Sequence, residues 1–256
     1  MNLPNFLALS SNTGNTWAKL LTAASGWGLM MTAALAANPQ HLQQLLISRT
    51  CTGCDLREAV LLDAQLQGAN LARSDLSGAI LRQAVLASGN LISANLDGAD
   101  LRRATLSDSD LEGASLRNSR LDDAIILSAV LDRTHLDGAS LRRANLSQSR
   151  IAGASLVGAD LRESALVQTS LMQTDFSQAN FSGADLFQAN AIRANFQGAV
   201  LIGADLTGMQ LYKADFSGAD FTDAILTGAS SQETNFTDAR FCRTRMPDDT
   251  LNNDHC

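Results

Sequence analysis

The sequence predicts an all-β repeat protein built from five-residue units. Over residues 56–246, every fifth residue is Leu, Ile, Phe or Met, and only Ala191 and Ser231 depart from this rule. Over residues 54–244, the position two before each of them is small, with Met209 as the exception, and no insertion interrupts the count. Helices need apolar residues three and four apart, and strands need them two apart. A short extended segment followed by a turn fits, because Asp, Asn, Gly and Ser are frequent at the other positions.

The stretch from 91 to 101, LISANLDGADL, displays the unit: a small residue, Asp or Asn, a large apolar residue and two variable positions. This unit resembles that of the pentapeptide-repeat family, A(D/N)LXX. The resemblance covers about three quarters of the chain and implies a right-handed quadrilateral β-helix. Four units form one square coil with the large and small residues inside. Residues 51–246 would then form a rod of about nine to ten coils, roughly 45 Å long.

Stacking of residues twenty apart is visible within the sequence. We number the four faces by the central residues of their first units, which are Leu56, Leu61, Leu66 and Leu71. On the first face the series changes from Leu to Phe at Phe176, as expected if the rings stack. On the fourth face Ala191 lies opposite Phe181, and Ser231 lies opposite Phe221, which keeps the core volume constant. In the middle of the rod the register predicts an inward Leu131 and an outward Asp132.

Residues 1–36 have the pattern of a secretory signal peptide. Lys19 is the one charge, residues 20–36 are uncharged, and the segment ends in Ala34-Leu35-Ala36, an A-x-A cleavage site. The alternative is an uncleaved membrane anchor, but the stretch is shorter than the ~20 apolar residues of a span. The sequence therefore predicts export, with no integral membrane span after cleavage.

Both ends of the repeat array need a cap, because an end coil exposes unpaired strand edges. For residues 37–50 we expect a capping helix with Asn38 as N-cap and Pro39 at its first position. The segments at both ends resemble those of cyanobacterial pentapeptide-repeat proteins, whose exit segment has MPDG where this chain has MPDD, ending at Asp249. Residues 247–256 are the expected C-terminal capping tail.

Four cysteines lie in two pairs, one at each end of the array. Cys51 and Cys54 could be half a zinc site, a redox pair, or a buried pair that is free or bridged. Zinc needs two more ligands, and the other cysteines lie at the opposite end of the rod. Cys242 and Cys256 bracket the tail, so a disulfide between them would tie it over the last coil. Export to an oxidising compartment favours disulfides.

We find no nucleophile–base–acid set, no phosphate-binding loop and no metal-ligand cluster, so the sequence predicts no enzyme, cofactor or metal. The Asp and Asn residues before the leucines recur with the repeat and are expected to bond the turn backbone. On the second face, Arg102, Asp122 and Arg142 stack one coil apart, beside alternating charges from Arg103 to Glu163. These ladders are expected to stabilise a solvated face.

Outward apolar residues are concentrated on the third and fourth faces of the C-terminal half. Val167 and Phe187 stack on the third face, and Met172, Ile192 and Tyr212 stack on the fourth. Such a cluster is typical of a docking surface for a partner or a second copy. The alternative is a patch that is tolerated or covered by the tail.

Two functions follow from these observations. The first is a non-catalytic structural or protein-interaction scaffold, located in the periplasm or thylakoid lumen as the resemblance of the end segments implies. The second is a DNA-mimicking inhibitor or modulator of a DNA-binding enzyme such as gyrase, as some proteins of the resembled family are. The excess of 26 acidic over 19 basic residues is small for a DNA mimic, and export would separate the chain from gyrase. No nucleic-acid partner is expected.

Overall fold

A computed structural model describes residues 37–256, so the signal-peptide prediction for residues 1–36 lies outside the described residues. Helix α1 spans Pro39–Ser48, and two short strands, β1 (Thr244–Arg245) and β2 (Leu251–Asn252), lie near the C-terminus. Between them the chain forms parallel bridges between residues twenty apart, such as Asp55 with Asp75. The bridges continue without a break in register to Ile225 and Arg245, so the chain stacks in coils of four units.

Every unit contains the same turn. In the unit that ends at Glu58, the N–H of Ala59 donates to the carbonyl of Leu56 at 3.0 Å, and Glu58 has a φ of 56°. This is a type II turn, and its second central residue has a positive φ in every unit from 53 to 243. Many of these residues are not glycine. Inter-coil hydrogen bonds hold them, since the Glu58 N–H donates to the carbonyl of Ser77 at 2.8 Å.

The backbone of each unit bonds to both neighbouring coils. The Leu56 N–H donates to the carbonyl of Asp75 at 2.7 Å, and the Asp75 N–H donates to the carbonyl of Cys54 at 2.8 Å. The Asp75 side chain accepts a hydrogen bond from the Ser77 N–H at 3.0 Å, as expected for the residue before each leucine. Within the interior coils the short extended segments are therefore paired on both sides, although they are too short to count as strands.

The core is filled by the large and small inward residues. The rings of Phe176, Phe196 and Phe216 stack with centroids 4.9 and 4.5 Å apart, which confirms the predicted column on the first face. Ala191 is fully buried, but Ser231 is only half-buried. Ser231 belongs to the last coil, and no further coil covers its outer side.

Buried hydroxyl groups occupy several of the small positions and bond to backbone carbonyls. The Ser74 hydroxyl donates to Leu71 at 2.6 Å, and the Thr169 hydroxyl donates to Leu146 at 3.0 Å. Because each hydroxyl has an acceptor, these polar groups are buried without an unpaired donor.

One expectation about the surface is wrong. Asp132 occupies an outward position but is only 7% exposed. Arg150, from the next coil, pairs with one of its oxygens, and the Ala152 N–H donates to the other at 3.0 Å. The long arginine side chain covers the carboxylate, which a count of inward and outward positions does not predict.

Helix α1 lies over the N-terminal coil. Asn38 is its N-cap, and the side-chain oxygen accepts from the N–H groups of Gln40 and His41 at 3.0 and 3.3 Å. Leu45 is fully buried, and Leu42 packs against the core. The C-cap residue is Arg49, whose φ of 54° places it in the left-handed region. No helix within residues 37–256 has the length and apolar character needed to cross a membrane.

The C-terminal tail folds back as a small antiparallel hairpin. Thr244 pairs with Asn252, and Arg245 pairs with Leu251, so the hairpin begins inside the predicted repeat region rather than at residue 247. Its turn places Asp249 at a φ of 67°, at the position where the exit segment that this tail resembles has glycine. The Asp249 carboxylate accepts hydrogen bonds from Thr227 and Arg245, at 3.0 and 3.2 Å, which hold this turn without a glycine.

Candidate interaction surface

The five predicted surface residues lie in two columns on neighbouring faces. Backbone hydrogen bonds hold the neighbouring coils of each column together. On the third face the Gln168 N–H donates to the Phe187 carbonyl at 2.9 Å, and on the fourth the Gln173 N–H donates to the Ile192 carbonyl at 3.0 Å. Phe187 is 37% exposed and Met172 is 38% exposed. The other three, Val167, Ile192 and Tyr212, are half-buried. The columns are therefore held on a regular backbone, with Phe187 and Met172 most accessible.

Polar contacts surround these columns. Gln168 and Gln188 form a side-chain hydrogen bond of 3.1 Å beside Val167 and Phe187. Tyr212 donates to Glu233 at 3.2 Å, and the Lys213 ammonium lies 5.1 Å from its ring centroid. Hydrogen bonds with Tyr212 and Glu233 raise the pKa of Lys213. Tyr212 is thus engaged within the molecule, and the other four residues supply the free apolar area.

Exposed apolar side chains also occur on the other faces, which the sequence analysis did not single out. Val157, on the first face, is 38% exposed, and Ile202, on the second, is 40% exposed. Both occupy the first turn position of their units, as Phe187 and Met172 do, so the repeat register alone could have identified them. They are isolated, whereas the third and fourth faces carry stacked columns.

The second face carries ion pairs that differ in part from the predicted ladders. Asp123 accepts from Arg143 at 2.8 Å and lies 4.0 Å from Arg103, so that ladder forms. Arg102 pairs instead with Asp100 of its own unit at 2.6 Å. The reason is local: the residues on either side of the inward leucine both point outward and meet directly. The hydrogen bond from Arg143 lowers the pKa of Asp123.

The first face is acidic. Its outward positions hold eight acidic and two basic side chains, an excess of six in a chain whose net charge is −7. The acidic residues are Asp55, Glu58, Asp75, Asp97, Asp137, Asp175, Asp215 and Asp238. A hydrogen bond from the Arg57 guanidinium, outweighing a smaller opposing effect of burial, lowers the pKa of Asp55 to about 2. This charge remains negative at all physiological pH values.

Both cysteine pairs lie at disulfide-bonding distance. The Cα atoms of Cys51 and Cys54 are 5.3 Å apart, and those of Cys242 and Cys256 are 4.8 Å apart. Cys51, Cys54 and Cys242 are buried. Within residues 37–256, no three His, Cys, Asp or Glu side chains are grouped so that they could hold a metal ion.

Comparison with known proteins identifies the repeat. The profile of the pentapeptide repeats family matches in eight copies, over residues 50–87, 90–123, 124–162, 154–190, 179–218, 192–228 and 214–247. No curated protein matches the chain. A trypsin-treated variant of QnrB1, a plasmid-mediated fluoroquinolone resistance protein, is 19% identical over 63% of this chain and 86% of its own, with a TM-score of 0.57.

Two other solved structures are more similar in sequence but superpose less well. HetL, a pentapeptide repeat protein of the cyanobacterium Nostoc sp. strain PCC 7120 involved in heterocyst differentiation regulation, is 28% identical over 84% of this chain and 99% of its own, with a TM-score of 0.45. A pentapeptide repeat protein from the Arabidopsis thaliana thylakoid lumen is 30% identical over 38% of this chain and 61% of its own, with a TM-score of 0.22.

The family match and the likeness to QnrB1 imply a right-handed quadrilateral β-helix, in agreement with the bridges between residues twenty apart. The matched stretches extend over most of the described residues. The chain belongs to the pentapeptide repeat family.

Proposed function

We propose that this protein is a non-catalytic interaction scaffold, which binds a protein partner or a second copy through the third and fourth faces of its C-terminal half. The observation that carries the proposal is the pair of apolar columns that contain Phe187 and Met172, both more than one third exposed. A stacked backbone holds these side chains in place before binding, so little conformational entropy is lost on association. The adjacent glutamines and Lys213 supply the polar rim that such interfaces have.

The ends of the rod are part of the same proposal. We infer that α1 and the C-terminal hairpin cap a rod of about nine to ten coils and prevent edge-to-edge association. Residues 1–36 would direct the chain to the periplasm or thylakoid lumen and be removed there. The two cysteine pairs support this location, because disulfides persist in oxidising compartments.

The alternative function is DNA mimicry. The acidic first face favours it, since a row of carboxylates can imitate the phosphates of a duplex. The neighbouring second face opposes it, because six arginines line one pocket there and would repel a DNA-binding surface. N-terminal sequencing of the chain from fractionated cells separates the two functions. We expect a mature N-terminus near Ala37, and an unprocessed cytosolic chain would contradict export and favour mimicry.

The interaction proposal is tested by the double substitution Phe187→Glu with Ile192→Glu. The matched control is Val157→Glu with Ile202→Glu, which adds the same two charges at exposed positions of the other faces. We expect the first variant to lose either self-association, measured by light scattering, or the partners that crosslink to the wild type. The control should keep both. Equal behaviour of the wild type and both variants would contradict the proposed surface.

A further inference from the structure

The second face holds a pocket that neither the repeat nor the proposed interaction surface requires. It is open to solvent, has a volume of about 540 Å³ and spans several neighbouring coils. Six of the lining residues are arginines: Arg82, Arg102, Arg103, Arg120, Arg142 and Arg143. Three aspartates, Asp122, Asp123 and Asp160, also line it, so the pocket has an excess of three positive charges in a chain whose net charge is −7.

Four of these arginines already have carboxylate partners. Arg102 lies 2.6 Å and Arg82 3.7 Å from Asp100, just outside the pocket. Arg143 pairs with Asp123 at 2.8 Å, and Arg103 lies 4.0 Å from the same carboxylate. Counting the charged side chains beside the pocket as well, Asp100, Arg162 and Glu163, leaves an excess of two positive charges.

The remaining two arginines, Arg120 and Arg142, lie on neighbouring coils. Within the described part of the chain, neither has an ion pair within 4.0 Å or a side-chain hydrogen bond. The Nε of Arg142 is the one buried side-chain nitrogen or oxygen that lacks a hydrogen-bond partner among residues 37–256. Leaving a buried charged donor unpaired is costly, so such an atom requires an explanation.

The local sequence produces this arrangement. Ser140 stacks between Arg120 and Asp160 in the column of outward residues, and its short side chain leaves space above it. The Ser140 hydroxyl donates to Asp122, which lies one coil below Arg142 in the same column. Asp160 is engaged by Arg162 at 2.5 Å. Asp123 and Asp160 are therefore paired with other arginines, Asp122 accepts from Ser140, and Arg142 has no carboxylate within 4.0 Å.

We propose that this pocket binds a small molecule that carries a dianionic oxyanion, such as a phosphate or pyrophosphate group, with Arg120 and Arg142 as its principal ligands. A dianion matches the two unpaired guanidinium groups and the two unneutralised charges. Guanidinium forks bind phosphate oxygens in pairs, and a phosphate dianion carries twice the charge of a single carboxylate. The volume exceeds that of a phosphate ion, so the pocket also has room for the rest of a phosphorylated molecule.

The wild-type protein provides the first test. Isothermal titration calorimetry with inorganic phosphate, pyrophosphate and acetate, at constant ionic strength, should give saturable binding of the first two. Acetate should bind at least tenfold more weakly, since it brings a single negative charge to two guanidinium groups. No saturable binding of phosphate or pyrophosphate, or equal binding of acetate, would overturn the proposal.

The second test uses arginine variants. Arg120→Gln with Arg142→Gln should weaken pyrophosphate binding by roughly tenfold or more, because it removes charge-assisted hydrogen bonds. Arg193→Gln, an exposed arginine on the fourth face, is the control and should bind as the wild type does. Equal loss in the control would overturn the assignment to this pocket. If the double variant does not fold, Arg142→Lys keeps the charge but removes the buried Nε–H, and unchanged affinity in that variant would equally overturn it.

This site is independent of the proposed interaction surface. The arginine variants should leave light scattering unchanged, and Phe187→Glu with Ile192→Glu should leave pyrophosphate binding unchanged. A failure of one proposal can therefore be distinguished from a failure of the other.

Discussion

A single carboxylate in the middle of the rod, Asp132, is buried and accepts bonds from two partners of the next coil, Arg150 and Ala152. Asp132→Ala should therefore lower the free energy of unfolding by about 2 kcal/mol, as for a hydrogen bond to a charged group. Glu112→Ala is the matched control, because Glu112 lies one coil below in the same column and pairs with the exposed Arg133. Surface pairs contribute under about 1 kcal/mol. Urea unfolding measures both, and equal effects would show that Asp132 is solvated.

Asp55 should titrate well below the ordinary range of an aspartate. Its pKa is lowered to about 2 by the hydrogen bond from Arg57, so its stabilising contribution is complete above the unfolded value of ~3.9 and is lost as the pH falls towards 2. A carboxyl-carbon NMR titration measures this directly. Arg57→Gln should raise the pKa of Asp55 towards its usual value. An ordinary pKa in the wild type would contradict the ion pair.

The repeat determines which residues face inward, and this could be predicted from the sequence. The Phe176 column on the first face is an example, since twenty-residue stacking follows from the count alone. The partners of long charged side chains could not be predicted. Arg102 reaches Asp100 in its own unit, whereas Arg150 reaches Asp132 in another coil. Both choices depend on side-chain conformations, and for the same reason the unpaired Arg142 was not foreseen.

At the scale of the elements, the segments at both ends use a histidine to bond an edge of the coil stack. The Nδ1 of His41 accepts from the Asp55 N–H at 3.0 Å, and the Nδ1 of His255 accepts from the Phe241 N–H at 3.2 Å. The backbone N–H of His255 also donates to the Phe241 carbonyl at 2.9 Å. The tail therefore bonds both the N–H and the carbonyl of Phe241. Each end segment therefore satisfies backbone groups that would otherwise end the ladder unpaired.

His255→Phe should remove the acceptor for the Phe241 N–H and open the C-terminal end of the rod. We expect faster hydrogen exchange at that amide and a stability loss of about 1–3 kcal/mol, as for an unsatisfied backbone donor. His135→Phe is the control, since His135 is exposed on the first face. Exchange that is unchanged by His255→Phe would show that the other contacts of the tail protect this amide without the histidine.

Of the elements at the two ends, the sequence predicted the helix but not the hairpin. The N-cap at Asn38 and the leucine spacing predicted α1, which spans Pro39–Ser48 within the expected range of 37–50. The hairpin of β1 and β2 could not be predicted, because two-residue strands carry no periodicity. The contacts that hold Asp249 at a φ of 67°, from Thr227 and Arg245, could not be predicted either, because they depend on how the tail folds back.

At the scale of the whole molecule, the repeat gives each coil the same backbone and leaves the faces free to differ. The first face carries nearly the entire net charge, the second an arginine-lined pocket, and the third and fourth the apolar columns. Because the core and the backbone ladder do not depend on most outward side chains, one rod can hold several separate surfaces. This separation is why each surface can be tested by variants that leave the fold intact.

The stability of such a rod should depend on where a defect lies. Each coil contacts only its neighbours, so the free energy of folding is a sum of coil and interface contributions. Leu131 is buried in the middle of the rod, and Phe236 is partly buried in the last coil. Leu131→Asp should bury an unpaired charge between two stacks of coils, whereas Phe236→Asp should affect the C-terminal end alone.

Hydrogen-exchange mass spectrometry distinguishes these outcomes. In Phe236→Asp we expect protection to fall only within about the last coil and the tail, with residues 50–200 unchanged. In Leu131→Asp protection should fall on both sides of the substitution, and little folded protein should be recovered, since neither stack keeps its covered end. Equal loss of protection along the whole rod in both variants would mean that the coils unfold as one unit. Full protection in Leu131→Asp would mean that the inward register is wrong.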